Sequence, residues 1–304
     1  MNDDRKVSRQ HLISQVLLKR FTMPGAKGSG WQLMPFDLDH PDRHRKLKGP
    51  RECGYIKDFV AFDSGSTEDL WGQVERRVPE AFNAVDAGTP FDNPEHAEIL
   101  RDLVVLHLVR SHHYRKVHRD SFSKVRENVF RGLMQERADA LRREALRNTG
   151  LHLTGPQALG VFARKLIESS EPAQDHASGK LFRVSIEEMF QKIRAKLADW
   201  QVEVVSPQEG QFLVGDTPAL TLRQADGGIQ YGMAVGDATT IILPIGPYHL
   251  IALGPKNCVI QVHKPLVDEL NAVQVIAATR WVYFHPRSGL ESFVKEGAVA
   301  RSDR

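Results

Sequence analysis

Cysteine is nearly absent from this chain of 304 residues: Cys53 and Cys258 are the only two, and they stand far apart. That excludes a disulfide framework and any cysteine-based metal spacing, and makes a reducing cytoplasm the expected compartment. Long apolar runs are missing as well. None approaches the roughly 18 residues that a membrane-spanning helix requires, so no membrane partner is expected. The opening Met1-Asn2-Asp3-Asp4-Arg5-Lys6 is polar and leads into no signal-peptide core. An excess of one charge is lacking too. Against 41 Lys and Arg stand 38 Asp and Glu, and the formal net charge of +3 is too small to mark a dedicated nucleic-acid binder by itself. There is no P-loop, no dinucleotide glycine fingerprint, no HExxH, no GxSxG and no CxxC pair. Gly25-Ala26-Lys27-Gly28-Ser29-Gly30 lacks the spacing of a phosphate loop and reads as a flexible connection.

What is present is an ordinary globular composition, 41% hydrophobic and 26% charged, at a length that suits one large or two closely joined domains. Apolar residues at 12, 13, 16, 17 and 21 predict a short helix over 7–21, with Ser8 as its cap. Trp31 to Phe36 and Tyr55 to Phe62 read as short strands, and 37–52 as a solvated loop. Ser66-Thr67 before Glu68 and Asp69 start a helix reaching about Val85, bent or interrupted at Pro79. Asn93-Pro94-Glu95 starts a second, apolar on most sides and ending at Arg110. Residues 110–147 read as one long exposed amphipathic helix or a helical pair. Further helices are predicted at about 156–169 and 185–198, the latter opened by a Ser185–Glu188 capping box.

From Trp200 the pattern alternates. Strands are predicted at 200–205, 211–215, 219–224, 229–234, 239–244 and 248–253, with Asp226-Gly227-Gly228 as a hairpin turn. The predicted fold class is α+β: a helical bundle packed on a mostly antiparallel sheet in a single large domain over 7–285. Its helical part is about 66–198, its sheet about 200–254 and its closing helix about 265–282, with polar tails at 1–6 and 286–304. Leu266, Leu270, Val273 and Ala277 give the closing helix an apolar stripe with which to cover the sheet.

Five polar residues interrupt apolar surroundings. Glu68 and Glu75 lie seven apart on one helix, so their carboxylates point the same way and can hold a divalent cation, divide acid and base roles, or pair with Arg76, Arg77 or Arg110. Arg110 ends an apolar helix, where it either pairs with a carboxylate or clamps an anionic substrate. His11 sits in an amphipathic segment and Asp216 in a turn after an apolar strand. Such a strand end is a usual place for a reactive group, but also for an aspartate that bonds the backbone after Pro218. His112, His113 and His118 lie among Arg115, Lys116 and Arg119. Adjacent histidines on a helix point about 100° apart, so this stretch reads as a solvated basic face able to contact phosphate rather than as a metal site.

In their order these residues resemble the bacterial family catalogued as domain of unknown function 4238. His11, Leu18 and Phe21 match its opening segment, with Ser14 where the family usually has proline. Glu68 and Glu75 match its paired glutamates, and Arg110-Ser111 its apolar helix end. Gly215-Asp216-Thr217-Pro218 matches its Ser-Asp-x-Pro turn with glycine in place of serine; Pro244-Ile245, Asn271 and Arg280-Trp281-Val282-Tyr283 match later positions. The resemblance spans about 7–285 and implies one domain with one polar site. It implies no reaction.

These residues support two functional expectations. The first is a metal-dependent hydrolase of phosphate esters or nucleic acid. In it Glu68, Glu75 and Asp216 ligate Mg or Mn, His11 is a ligand or general base, and Arg110 stabilises negative charge. The basic segment 110–119 would contact a nucleic-acid backbone. The second is a noncatalytic interaction or small-molecule sensing module. There the same residues form a buried ion-pair network, and the exposed helix at 120–147 is the docking surface.

Overall fold

Strand pairing overrides helical spacing at the start of the chain. In the computed structural model, which describes residues 9–62, 65–225 and 228–302, Arg9–His11 is a strand, β1, and the first helix, α1, is only Gln15–Arg20. This corrects the helix expected over 7–21; its suggested cap Ser8 lies outside the described residues. Ser14 takes the cap position instead. Met23–Pro24 (β2) pairs with Trp31–Gln32 (β3), Met34–Asp37 (β4) comes next, and Tyr55–Lys57 (β5) pairs antiparallel with β1.

Gly65–Asp86 (α2) continues through Pro79 and buries Trp71, Val74, Val78, Ala81, Phe82 and Val85. Pro94–Val109 (α3) starts at Asn93, whose side chain accepts the Glu95 N–H at 3.0 Å, with Pro94 in the first turn where no N–H is missed. The 110–147 region is a helical pair, His112–Gln135 (α4) and Ala138–Thr149 (α5), closed by Gly150 in the left-handed conformation. Pro156–Glu168 (α6), Glu171–Ser178 (α7) and Lys180–Lys196 (α8) complete the helical stretch. α8 begins five residues before its expected cap. The Ser185–Glu188 capping box therefore lies inside the helix, and Ser185 bonds the Tyr114 hydroxyl instead.

The main sheet takes Gln201–Pro207 (β6), and the short Val214–Gly215 (β7) lies apart from it. It continues with Leu220–Ala225 (β8), Gly228–Tyr231 (β9), Thr240–Gly246 (β10), His249–Gly254 (β11) and Cys258–Val262 (β12), in the order β12-β6-β11-β10-β8-β9. Of the expected hairpin turn, Asp226 and Gly227 lie outside the described residues. All neighbours are antiparallel except β12 with β6, so the sheet is mostly antiparallel with one parallel edge. The closing helix, Lys264–Ala277 (α9), is shorter than expected because its aromatic and β-branched end, Trp281–Phe284, is a strand, β13. β13 lies between β4 and β7 in a separate three-stranded sheet. The expected polar tail at 286–304 is corrected as well: Glu291–Ser302 is a helix, α10, which buries Val294 and Ala298 against Phe36, Val275 and Val282.

The α+β class holds. Val267, Leu270 and Val273 of α9 pack on Val205, Leu220, Leu222, Ile242, Leu250 and Ala252. The intervening Val204, Ile241, Leu243, Ile251 and Leu253 are also buried, and α3 lies against β6 and β10. A sheet covered on both faces needs continuous apolar runs, which is why 241–245 does not alternate.

Contacts group the described residues into two compact units. One comprises those of Val7–Phe59, Gly65–His112 and Ile186–Arg304; it holds both of these sheets together with His11, Glu68, Glu75, Arg110 and Asp216. The other comprises those of Val60–Ser64 and His113–Ser185; within it Leu141, Leu159 and Ala163 form a small core with Phe130, Leu133 and Met134.

Candidate functional site

An apolar helix carries Arg110 inward until it is only 3% exposed, and a charge so placed requires a partner. Its Nη1 donates to Glu75 Oε1 at 2.6 Å, and the guanidinium lies 4.2 Å from the centre of the Trp71 ring. Trp71 and Glu75 are four residues apart on α2 and so share the face that meets α3. The same Glu75 oxygen accepts the Ser14 hydroxyl at 2.7 Å. Ser14 in turn donates its backbone N–H to His107 Nε2 at 3.2 Å. His107 then donates Nδ1–H to the Leu103 carbonyl at 2.8 Å. That pair of bonds defines its tautomer. One connected network thus ties α1, α2 and α3 together.

The environments of the two glutamates differ. Burial pushes Glu75 up, but the Arg110 guanidinium and the bonds from Ser14 and Arg110 outweigh it, and its pKa is lowered. Burial raises Glu68; Arg110 opposes this and the negative Glu75 reinforces it. Glu68 Oε1 and Arg110 Nε are both buried with no hydrogen-bond partner among the described residues. His11 is half-buried, its ring 5.9 Å from that of Tyr55 in an edge contact; it lies 3.4 Å from the Arg51 carbonyl and from Gln15. Burial lowers its pKa, and both Arg110 and Glu75 act on it electrostatically. His11, Glu68, Glu75 and Arg110 therefore share one electrostatic site.

Asp216 has other partners. The β7–β13 register sets Gly215 opposite Val282 and so carries Asp216 to the junction between α9 and β13. There its carboxylate accepts the backbone N–H groups of Thr279, Arg280 and Trp281 at 2.6, 2.9 and 2.9 Å. Burial raises its pKa and these three bonds oppose the rise. It is a backbone-bonding aspartate, but for a segment more than sixty residues on rather than for the turn after Pro218. Glycine precedes it because a Cβ at 215 would come within 3.0 Å of the Gln274 carbonyl oxygen. The expected ligand set Glu68, Glu75 and Asp216 is not brought together: among the described residues, no three His, Cys, Asp or Glu are grouped so as to hold a metal ion. His112 lines a cavity with Asp216, while in the other unit Lys116 of the basic segment bonds Asp120 at 2.8 Å.

Ser14 and His107 belong to the network but were not singled out from the sequence. His107 lies between Leu106 and Leu108, a polar residue within an apolar run, which is the signal that marked Arg110. The buried His107 also has a measurable consequence. Burial is the main cause that lowers its pKa from 6.5 to about 4, Arg110 adding to it, so the unfolded chain binds the proton first. Its contribution to stability is complete above about pH 6.5, falls as pH drops towards 4 and levels off below, about 3 kcal/mol in all. Denaturant melts between pH 7.5 and 4.5 should show that loss, and His107→Gln should flatten it. An unchanged slope in the variant would mean that another group titrates.

The sequence model of a family described as Protein of unknown function (DUF4238) matches residues 9–288. No curated protein matches the chain, and no solved structure does. Among the described residues no helix is long and apolar enough to cross a membrane.

Proposed function

The chain belongs to the DUF4238 family, and we propose that it is a hydrolase of phosphate esters in which Glu68 and Glu75 divide the acid and base roles. The observation that carries this reading is the opposite displacement of two carboxylates on one helix: burial drives Glu68 towards its protonated form, while Arg110 and Ser14 hold Glu75 ionised. Environments that push neighbouring carboxylates apart assign acid and base at neutral pH. Glu68 would protonate the leaving oxygen. Glu75 Oε2 would take the proton of the attacking water, with His11 beside it. The unpaired Arg110 Nε–H is the donor left for a phosphoryl oxygen. The described residues hold no ready three-residue ligand set, so in the metal-assisted form of this reading Mg or Mn would have to arrive with the substrate phosphate, and the site would offer it carboxylate oxygen alone. In the other unit, the exposed Arg115, Lys116 and Arg119 are by themselves a basic face suited to a nucleic-acid phosphate backbone.

Purified protein would be assayed on aryl phosphate mono- and diesters and on single-stranded nucleic acid, with and without Mg or Mn. Glu68→Gln should lower kcat by about 100-fold. It should leave the melting temperature unchanged, since the buried Oε1 has no bonded partner among the described residues to strand. Full activity in that variant, or no turnover by the wild type on any substrate, overturns the reading.

A second reading, a noncatalytic interaction or sensing module, is favoured by the Arg110–Glu75–Ser14–His107 network, which joins three helices with one buried and two part-buried bonds. It predicts that variants at Glu75 and Arg110 change stability alone.

A further inference from the structure

Two adjoining cavities of about 220 and 240 Å³ share Gly54, Tyr55, Trp281 and Tyr283 as walls. Neither is lined by Glu68, Glu75 or Arg110, so a ligand here is independent of whether that site is catalytic. The polar groups in the walls are distinctive. Tyr283 is buried, and its oxygen accepts the Gly54 N–H at 3.0 Å. Among the described residues nothing accepts its own hydroxyl hydrogen, although buried hydroxyls are normally satisfied as donors as well. Lys48 lines the first cavity half-buried, held in place because its backbone pairs with Leu33. No carboxylate among the described residues lies within ion-pair distance of its ammonium, which instead sits 5.8 Å from the centre of the Trp281 ring. Arg280 approaches the same ring at 5.2 Å but is engaged by Asp37 at 2.7 Å.

The acidic groups nearby are already bonded. Asp216 in the second cavity holds three backbone N–H groups, and the exposed Glu52 in the first accepts the Gly49 N–H at 3.1 Å. Cys53 adds an inert wall: burial pushes its thiol up to about 12, with Lys48 opposing the rise, which leaves no thiolate to react. What remains on offer is one ammonium without a carboxylate partner among the described residues, one hydroxyl donor and two aromatic walls, with His112 also lining the second cavity and Glu52 the first.

We propose that these cavities bind a small planar ligand bearing one anionic group, a carboxylate or a phosphate. Its ring would lie against Trp281 and Tyr55, and its anion would take the Lys48 ammonium and the Tyr283 hydroxyl. Aromatic walls select a flat body, and a buried donor rejects a ligand that lacks an acceptor by leaving itself unpaired. An ammonium on a planar ring is better placed for a compact anion than for a second cation.

Calorimetric titration of the full chain tests this with benzoate and phenyl phosphate, with benzyl alcohol as neutral control and inorganic phosphate as the anion without a ring. At least one of the two aryl anions should bind, about tenfold or more tighter than benzyl alcohol and than inorganic phosphate, and the better of the two identifies the anion. Lys48→Gln and Tyr283→Phe should each weaken that binding by about tenfold. Lys48→Gln changes a half-exposed side chain, so it is the decisive variant if Tyr283→Phe loosens the fold. The proposal is overturned if neither aryl anion binds, if benzyl alcohol or inorganic phosphate binds equally well, or if Lys48→Gln binds as the wild type does.

Discussion

Arg110→Ala is expected to destabilise the fold by about 3–5 kcal/mol, as breaking a buried ion pair from one side does. The loss has a definite origin. With the guanidinium gone, Glu75 keeps its half-buried position beside the Ser14 hydroxyl but loses the charge that holds it ionised. Trp71 also loses the planar group stacked over it. The companion double variant, Arg110→Met with Glu75→Gln, removes both charges and keeps much of the volume, and it should recover most of the stability. Denaturant melts of the wild type, Arg110→Met, Glu75→Gln and the double variant complete the cycle. A coupling energy near zero would mean that Arg110 and Glu75 act independently, and it would sink the network. The same proteins separate the two functional readings: the double variant restores stability in either, but only in the hydrolase reading does the wild type turn substrate over and the stable double variant fail to.

The parts of this network that could be read from sequence are those where a charge is out of place. Arg110 ends an apolar helix, and Glu68 and Glu75 repeat on one face, so burial and direction could both be argued from spacing. Ser14 could not be read in this way. It stands where the resembled family usually has proline, and neither its type nor its spacing marks it as a bonded residue. Yet proline has neither the N–H that Ser14 gives to His107 nor the hydroxyl that it gives to Glu75. The backbone there, at φ −51°, would accept either residue, so local conformation carried no hint of the difference. Lys48 was hidden for the opposite reason. It lies in a stretch of basic residues, histidines and prolines that reads as solvated, and only the pairing of Leu33 with Lys48 turns it towards Trp281.

Among the strands, β8 to β11 were legible from their apolar pattern and from the close β8–β9 and β10–β11 pairings, and β6 from its own alternating pattern, although its partner β11 is some forty-five residues away. β12 was missed although Cys258-Val-Ile-Gln-Val is β-branched and short. Its partner is β6, in parallel and some fifty residues away, and no local turn announces such a pairing. β13 was read as the end of a helix for a similar reason: its place between β4 and β7 rests on partners at 34–37 and 214–215. Tertiary pairing decided these segments against local pattern.

Asp216 shows how position in sequence can be read correctly while the role is not. A carboxylate after an apolar strand is as consistent with catalysis as with structure, and the choice lies with Thr279, Arg280 and Trp281. Their three N–H groups converge where α9 gives way to β13, a junction that short-range pattern around 216 cannot reveal. Asp216→Ala should therefore destabilise by about 3–5 kcal/mol: three buried donors lose one acceptor group, each at about 1–3 kcal/mol, and the adjoining cavity allows water to reach part of them. Asp216→Asn keeps one acceptor oxygen but turns an amide N–H₂ towards the remaining donors, so a smaller loss of about 1–2 kcal/mol is expected. Thermal and denaturant melts, each repeated with Mg and with Mn, distinguish this from the ligand role expected from sequence. A structural Asp216 gives the same ranking, wild type above Asn above Ala, whether or not metal is present. If Asp216→Ala instead melts as the wild type does, and a metal-dependent rise in the wild type melting temperature vanishes in the variant, the carboxylate is a ligand and the backbone role assigned to it is wrong.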